Sequence, residues 1–213
     1  MKTKWGYRAN DDGGEEEQKE SLPFSPLSDL VTNTGITRCV ENTIYFYADV
    51  TSGSCCELNR LLRDVDSKLN QAKIVMNNPE FNPIIHLRIN SFGGDVFAAM
   101  STVDTIRSLR SSVYSYIEGS AASAATLISV VAKKRFIGKN SLMLIHQLRT
   151  ICSGTFEQLQ DEHENNKRVM DIIKNLYKQY TKISMKELDN ILKRDIWFDG
   201  PTSLKYGLVD EIY

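Results

Sequence analysis

The chain has 213 residues, 41% of them apolar and 25% charged, with a net charge of −1. That length supports one large domain with a sizeable core, and so small a net charge provides no field to draw nucleic acid or an anionic membrane. No apolar run is long enough to cross a bilayer, and the first twenty residues lack the apolar centre of a secretory signal, so a cytoplasmic protein is expected.

Residues 1–35 are polar, with the run Glu15-Glu16-Glu17, and end around Pro23 and Pro26. They bury too little apolar surface to offset the entropy of ordering, which predicts a flexible arm or leader before a domain over 36–213. Ile44 to Val50 is rich in strand formers, and Ser54-x-x-Glu57 reads as a capping box opening a helix that carries Leu58, Leu61, Leu62, Val65 and Leu69. Asn77 to Pro83 is a loop. Ile84 to Ile89 reads as a strand, Asn90 to Asp95 as a turn, and Val96, Met100, Val103 and Ile106 fall on one face of a second helix.

The logic then repeats, with a strand over Val113–Ile117, a turn at Gly119-Ser120 and a helix over Ala121–Ala132. Two strands, Phe136-Ile137 and Leu142–Ile145, flank the turn Gly138-Lys139-Asn140. A long helix runs from Thr155 to Tyr180, and its apolar positions predict packing against another element or another subunit. A shorter helix follows the capping box Ser184-x-x-Glu187, and Gly207 to Ile212 closes the chain as a strand. Alternating strands and helices argue an α/β domain. Cys39, Cys55, Cys56 and Cys152 show no CxxC spacing, which argues against a zinc site or a disulfide framework.

Three fragments could carry chemistry. Gly93-Gly94 directly after a strand lets the backbone turn sharply and present free N–H groups, as an oxyanion hole requires. The run Glu118 to Ala125 is built of small residues, and a serine in such a helix-opening turn has unpaired N–H groups beside it. A serine nucleophile needs a base. Of the three histidines, His86 lies within a strand and His163 among acidic residues of a helix, whereas His146 ends the apolar run Leu142–Ile145. The carboxylate that would orient this imidazole is left open by chemistry alone among Asp195, Asp199 and Asp210.

Taken together and in order, Ile89-Asn90-Ser91-Phe92-Gly93-Gly94, Gly119-Ser120-Ala121-Ala122-Ser123, Leu144-Ile145-His146-Gln147-Leu148, Arg194-Asp195-Ile196-Trp197 and Tyr206-Gly207-Leu208-Val209-Asp210 resemble the motifs of the Clp peptidase family. The resemblance spans roughly residues 40–213. It implies an α/β fold of the ClpP/crotonase type, a superhelix of ββα units with a protruding handle helix. It further implies Ser123 as nucleophile, His146 as base, Asp195 as the orienting acid, and the N–H groups of Gly94 and Ala124 as the oxyanion hole. Peptide would bind as an added strand along Gly93, Gly94, Asp95 and Val96 and the segment from Leu148 to Gly154. No metal or organic cofactor is implied. The expected partners are a polypeptide substrate, further copies in a heptameric ring or stacked rings, and an ATPase unfoldase.

The chain departs from the family pattern where Phe92 and Leu148 replace prolines and where the glycine-rich start of the handle shrinks to Ser153-Gly154. Departures of this kind resemble phage-encoded Clp-like peptidases, some of them associated with head maturation. Two competing readings are a non-catalytic subunit of a mixed ring or procapsid, and a crotonase-like acyl-CoA enzyme. The second shares the glycine turn but lacks a Ser-His-Asp set.

Overall fold

A computed structural model of the chain describes residues 35–213. The arm expected over 1–35 lies outside these residues, Gly35 excepted. A seven-stranded sheet is built from β1 (Ile36–Val40), β2 (Thr43–Tyr47), β3 (Ile84–Ser91), β4 (Ser112–Ala122), β5 (Lys134–Ile137), β6 (Leu142–Leu144) and β7 (Glu211–Ile212). Its order is β1-β2-β3-β4-β5-β7, with β6 also on β4, and every pairing is parallel except β1 with β2. Between the strands run α1 (Ser52–Val75), α2 (Val96–Ser108), α3 (Ala124–Val130), α4 (Phe156–Tyr180), α5 (Met185–Ile191) and α6 (Gly200–Tyr206).

Strand alternation divides the sheet into two unlike faces. Ile44, Phe46, Ile85, Leu87, Ile89, Val113 and Ile117 are buried in one core with Leu58 and Leu62 of α1, Val103 of α2 and Leu127 and Ile128 of α3. The opposite face is half-buried and aromatic, with Tyr116 stacked on Phe136 at 4.7 Å and His86 Nδ1 2.9 Å from the Tyr116 hydroxyl. Burial and the Arg88 charge both push the His86 imidazole below its ordinary pKa.

Three local readings change. The first helix starts earlier than Ser54: Thr51 is its N-cap, and Ser54, three residues on, completes a reciprocal Thr51/Ser54 capping box. Gly119-Ser120 is not a turn. Strand β4 runs through it to Ala122, and the following helix shrinks to Ala124–Val130. The reason is a change of partner along one edge of β4. Tyr114 to Ile117 pair with β5, whereas Ser120 to Ala122 pair with β6. Gly119 takes the strain at the switch with φ 86°, donates its N–H to Ser141 Oγ at 2.9 Å, and has Asn90 where a Cβ would stand. Finally, the closing strand is only Glu211–Ile212, because Gly207 is the left-handed C-cap (φ 67°) of α6, a helix the sequence pattern did not suggest.

Helix α4, 25 residues and so about 37 Å long, begins at the reciprocal cap of Thr155 and Gln158. Its second half is anchored by buried Val169, Ile173, Leu176 and Tyr177, while Phe156 and Leu159 near its start are exposed. Among the described residues, no helix is long and apolar enough to cross a membrane.

Candidate active site

Ser123 stands at the junction of β4 and α3 with φ 54° and ψ −126°, a conformation that L-residues avoid and that functional turns retain. Three contacts hold it there. Its N–H donates to the Leu144 carbonyl of β6 at 2.8 Å, and its own carbonyl accepts from Thr126 N (3.0 Å) and Thr126 Oγ1 (2.5 Å). Since the Thr126 proton is spent on that carbonyl, the buried Tyr177 hydroxyl of α4 donates to Thr126 Oγ1 at 2.6 Å. Burial pushes the Tyr177 phenol far above its ordinary pKa, with the Thr126 hydrogen bond opposing, so it remains a neutral donor.

The glycine pair meets this turn from the side. At Gly93 (φ 93°) a Cβ would come within 2.5 Å of the Ala122 carbonyl and 2.8 Å of Ser123 Cβ. At Gly94 (φ 144°) it would meet the Val50 carbonyl at 2.3 Å. Val50 N–H donates to the Gly93 carbonyl at 2.8 Å, and Asp95 N–H to the Val50 carbonyl at 2.7 Å. In such a parallel bridge Gly94's own N–H turns away from Val50, and Gly94 lines the cleft described below. Asp95 is the N-cap of α2, accepting from Phe97 N (2.7 Å) and Ala98 N (3.1 Å), which fixes where the glycine turn ends. Ala124 opens α3, so its N–H is one of the donors a helix leaves unpaired.

A cleft of about 500 Å³ collects most of the expected residues: Ser123, His146, Gly94, Ala124, Asp95, Val96 and Leu148 all line it. One stripe of α4 (Glu162, Asn166, Val169, Ile173, Tyr177) forms its wall. Gly93 lines a neighbouring groove beside Val50, and Gly154 lines neither. The segment from Leu148 to Gly154 forms no strand, and the Leu148 N–H is taken by Met170 Sδ at 3.1 Å. Phe92, exposed at the cleft mouth, sits edge-on to Trp197 at 6.2 Å.

Asp195 is not brought to His146. Its carboxylate forms an ion pair with Arg149, and His146 Nδ1 lies 2.6 Å from the Gln147 carbonyl oxygen. A carbonyl can only accept, so Nδ1 carries a proton in this contact, and of the two neutral tautomers it favours the one that leaves the lone pair on Nε2, the tautomer a general base requires. The other two carboxylates are engaged elsewhere. Asp199 caps α6 through Thr202 N at 2.8 Å, and Asp210 takes a two-pronged contact from Arg135 at 2.6 and 3.0 Å. Sequence reasoning missed Tyr177, Thr126, Arg149 and Glu162. Tyr177 was visible only as an apolar position of a long helix.

A strained serine between a parallel strand and a short helix, faced by a glycine turn and a histidine in one cleft, defines an α/β domain of the serine-peptidase class. The chain belongs to the Clp protease family, a family of serine-type peptidases, whose sequence model matches residues 58–213. It is 27% identical over 180 residues to the ATP-dependent Clp protease proteolytic subunit of Cyanophora paradoxa, covering 84% of this chain and 88% of that one. With the Streptococcus mutans subunit of the same description it shares 38% over 133 residues, 60% of this chain and 67% of the relative. In fold it is similar to a mutant ClpP1 from Listeria monocytogenes, with a TM-score of 0.70 and 24% identity over 81% of this chain and 91% of that one.

Proposed function

We propose that the protein is the proteolytic subunit of a Clp-type assembly, cutting peptide bonds of unfolded chains with Ser123, His146 and Asp195. The observation that carries this reading is the strained Ser123 turn, which shares one cleft with Gly94, Ala124 and His146. In this reading Ser123 Oγ attacks the scissile carbonyl while His146 Nε2 takes its proton. The oxyanion is held by the N–H groups of Gly94 and Ala124. Collapse expels the amine, which leaves with the proton from His146, and water then frees the acyl group by the same route. Asp195 stabilises the imidazolium that forms in each step.

A peptide entering as a strand would pair with the backbone at Gly94, which would give affinity without strong side-chain selection. The exposed Ile151, Phe156 and Leu159 at the start of the handle support contact with further copies, and hence a closed ring, heptameric or stacked, that works with an ATPase unfoldase. The test is hydrolysis of a small fluorogenic peptide by the purified protein and by Ser123→Ala. Turnover that is lost in the variant supports the reading, and equal turnover overturns it.

The second reading is a non-catalytic subunit, and the observation in its favour is that Asp195 rests on Arg149 instead of His146. An assembled sample with no turnover in the same assay would favour it.

A further inference from the structure

We infer that Arg149 is a positioning residue that competes with His146 for Asp195, and so sets how much of the assembly is catalytically aligned; this rests on the peptidase reading above. Arg149 lies three residues after His146 on the same irregular segment, and its guanidinium holds Asp195 Oδ2. Deprived of that carboxylate, the His146 ring is held by the Gln147 carbonyl. This contact selects the correct tautomer, but a neutral carbonyl does not stabilise an imidazolium as a carboxylate does. No other carboxylate named as a candidate is free to substitute, because Asp199 is committed to the α6 cap and Asp210 to Arg135.

The two partners of Asp195 are alternatives. The guanidinium holds the carboxylate oxygen it binds at Arg149, and alignment with His146 requires that contact to open. Opening is easy, since the Arg149 and Asp195 side chains are 71% and 50% exposed and such a pair is weak and screened by salt. The aligned and unaligned arrangements therefore lie close in free energy, and anything that draws Arg149 away, such as a carboxylate on the substrate or on a neighbouring copy, favours turnover.

The experiment compares peptide hydrolysis by the assembled full-length protein, Arg149→Gln, Asp195→Asn and the double variant, with Ser123→Ala as the blank. Arg149 is exposed, so its replacement leaves the fold intact. The inference predicts that Arg149→Gln raises kcat by up to about fivefold, the most that an exposed pair of this kind sustains. KM stays unchanged, because Asp195 acts on the imidazolium of the transition state. The gain vanishes in the Asp195→Asn background, and raising salt stimulates the natural protein more than Arg149→Gln. An unchanged or lowered kcat in Arg149→Gln, or a gain that survives in the double variant, overturns the inference while leaving the peptidase reading in place. Absence of Ser123-dependent turnover in every variant overturns both.

Discussion

The hydroxyl of Tyr177 stands 2.6 Å from that of Thr126, deep in the protein and one turn from the serine whose carbonyl Thr126 holds. The handle helix thus supports the Ser123 turn through a hydrogen bond as well as lining the cleft. Tyr177→Phe leaves the Thr126 oxygen without its donor in a buried setting, which costs about 1–2 kcal/mol of stability. The predicted result is a lower urea midpoint together with a several-fold loss of kcat at unchanged KM. Loss of stability without loss of kcat would mean that the turn does not depend on this contact.

Gly94 has no room for a side chain, since a Cβ would press on the Val50 carbonyl at 2.3 Å, and its φ of 144° suits only glycine. Gly94→Ala must therefore move the backbone here. Under the proposed mechanism the Gly94 N–H is an oxyanion donor, and since removing one such donor costs roughly 100- to 1,000-fold in kcat, a loss in that range is expected. Gly53→Ala is the control. It lies in the first turn of α1 with nothing nearer than 3.9 Å, and should leave turnover unchanged.

Backbone strain at Ser123 makes a prediction about stability. Ser123→Ala and Ser123→Gly both remove the hydroxyl, but only glycine relaxes φ 54°, ψ −126°. The glycine variant should be the more stable of the two by about 1 kcal/mol, read from denaturant midpoints.

Arg135 fastens three segments: it forks onto Asp210 and donates to the carbonyls of Tyr180 (2.6 Å) and Gly207 (2.8 Å). Burial pushes the Asp210 carboxyl up, but the Arg135 contacts outweigh it and hold the group below its ordinary value. A depressed folded-state pKa contributes stability that is present above the unfolded value, about 3.9 for aspartate, and is lost as pH falls through the folded one. Asp210→Asn should cost about 1 kcal/mol at pH 7, a figure discounted for the part-exposed carboxylate. The gap between variant and natural protein should narrow as pH drops below about 4, as unfolding curves across pH would report.

Much of this was legible in the sequence because it is local. The strand at Ile84, the glycine turn, the helix from Val96 and the handle capped by Thr155 each announce themselves by periodicity or by a capping residue. What was not legible depends on distant partners. Gly119-Ser120 looks like a turn until β6 arrives to pair with Ser120 to Ala122, and nothing near Gly119 signals that Ser141 and Asn90 will receive it. The site divides in the same way. Ser123, His146 and Gly94 were picked out in their motifs and share the cleft, whereas Asp195 is paired with an arginine 46 residues earlier, a contact that no spacing rule reveals.

The central claim is that Ser123 is a nucleophile activated by His146. Its most direct measurement is reaction of the assembled protein with an active-site phosphonate, followed by peptide mapping of the adduct. The account predicts a single adduct on Ser123 that is lost in His146→Ala. Labelling of a different residue, or Ser123 labelling that His146→Ala leaves undiminished, would contradict it.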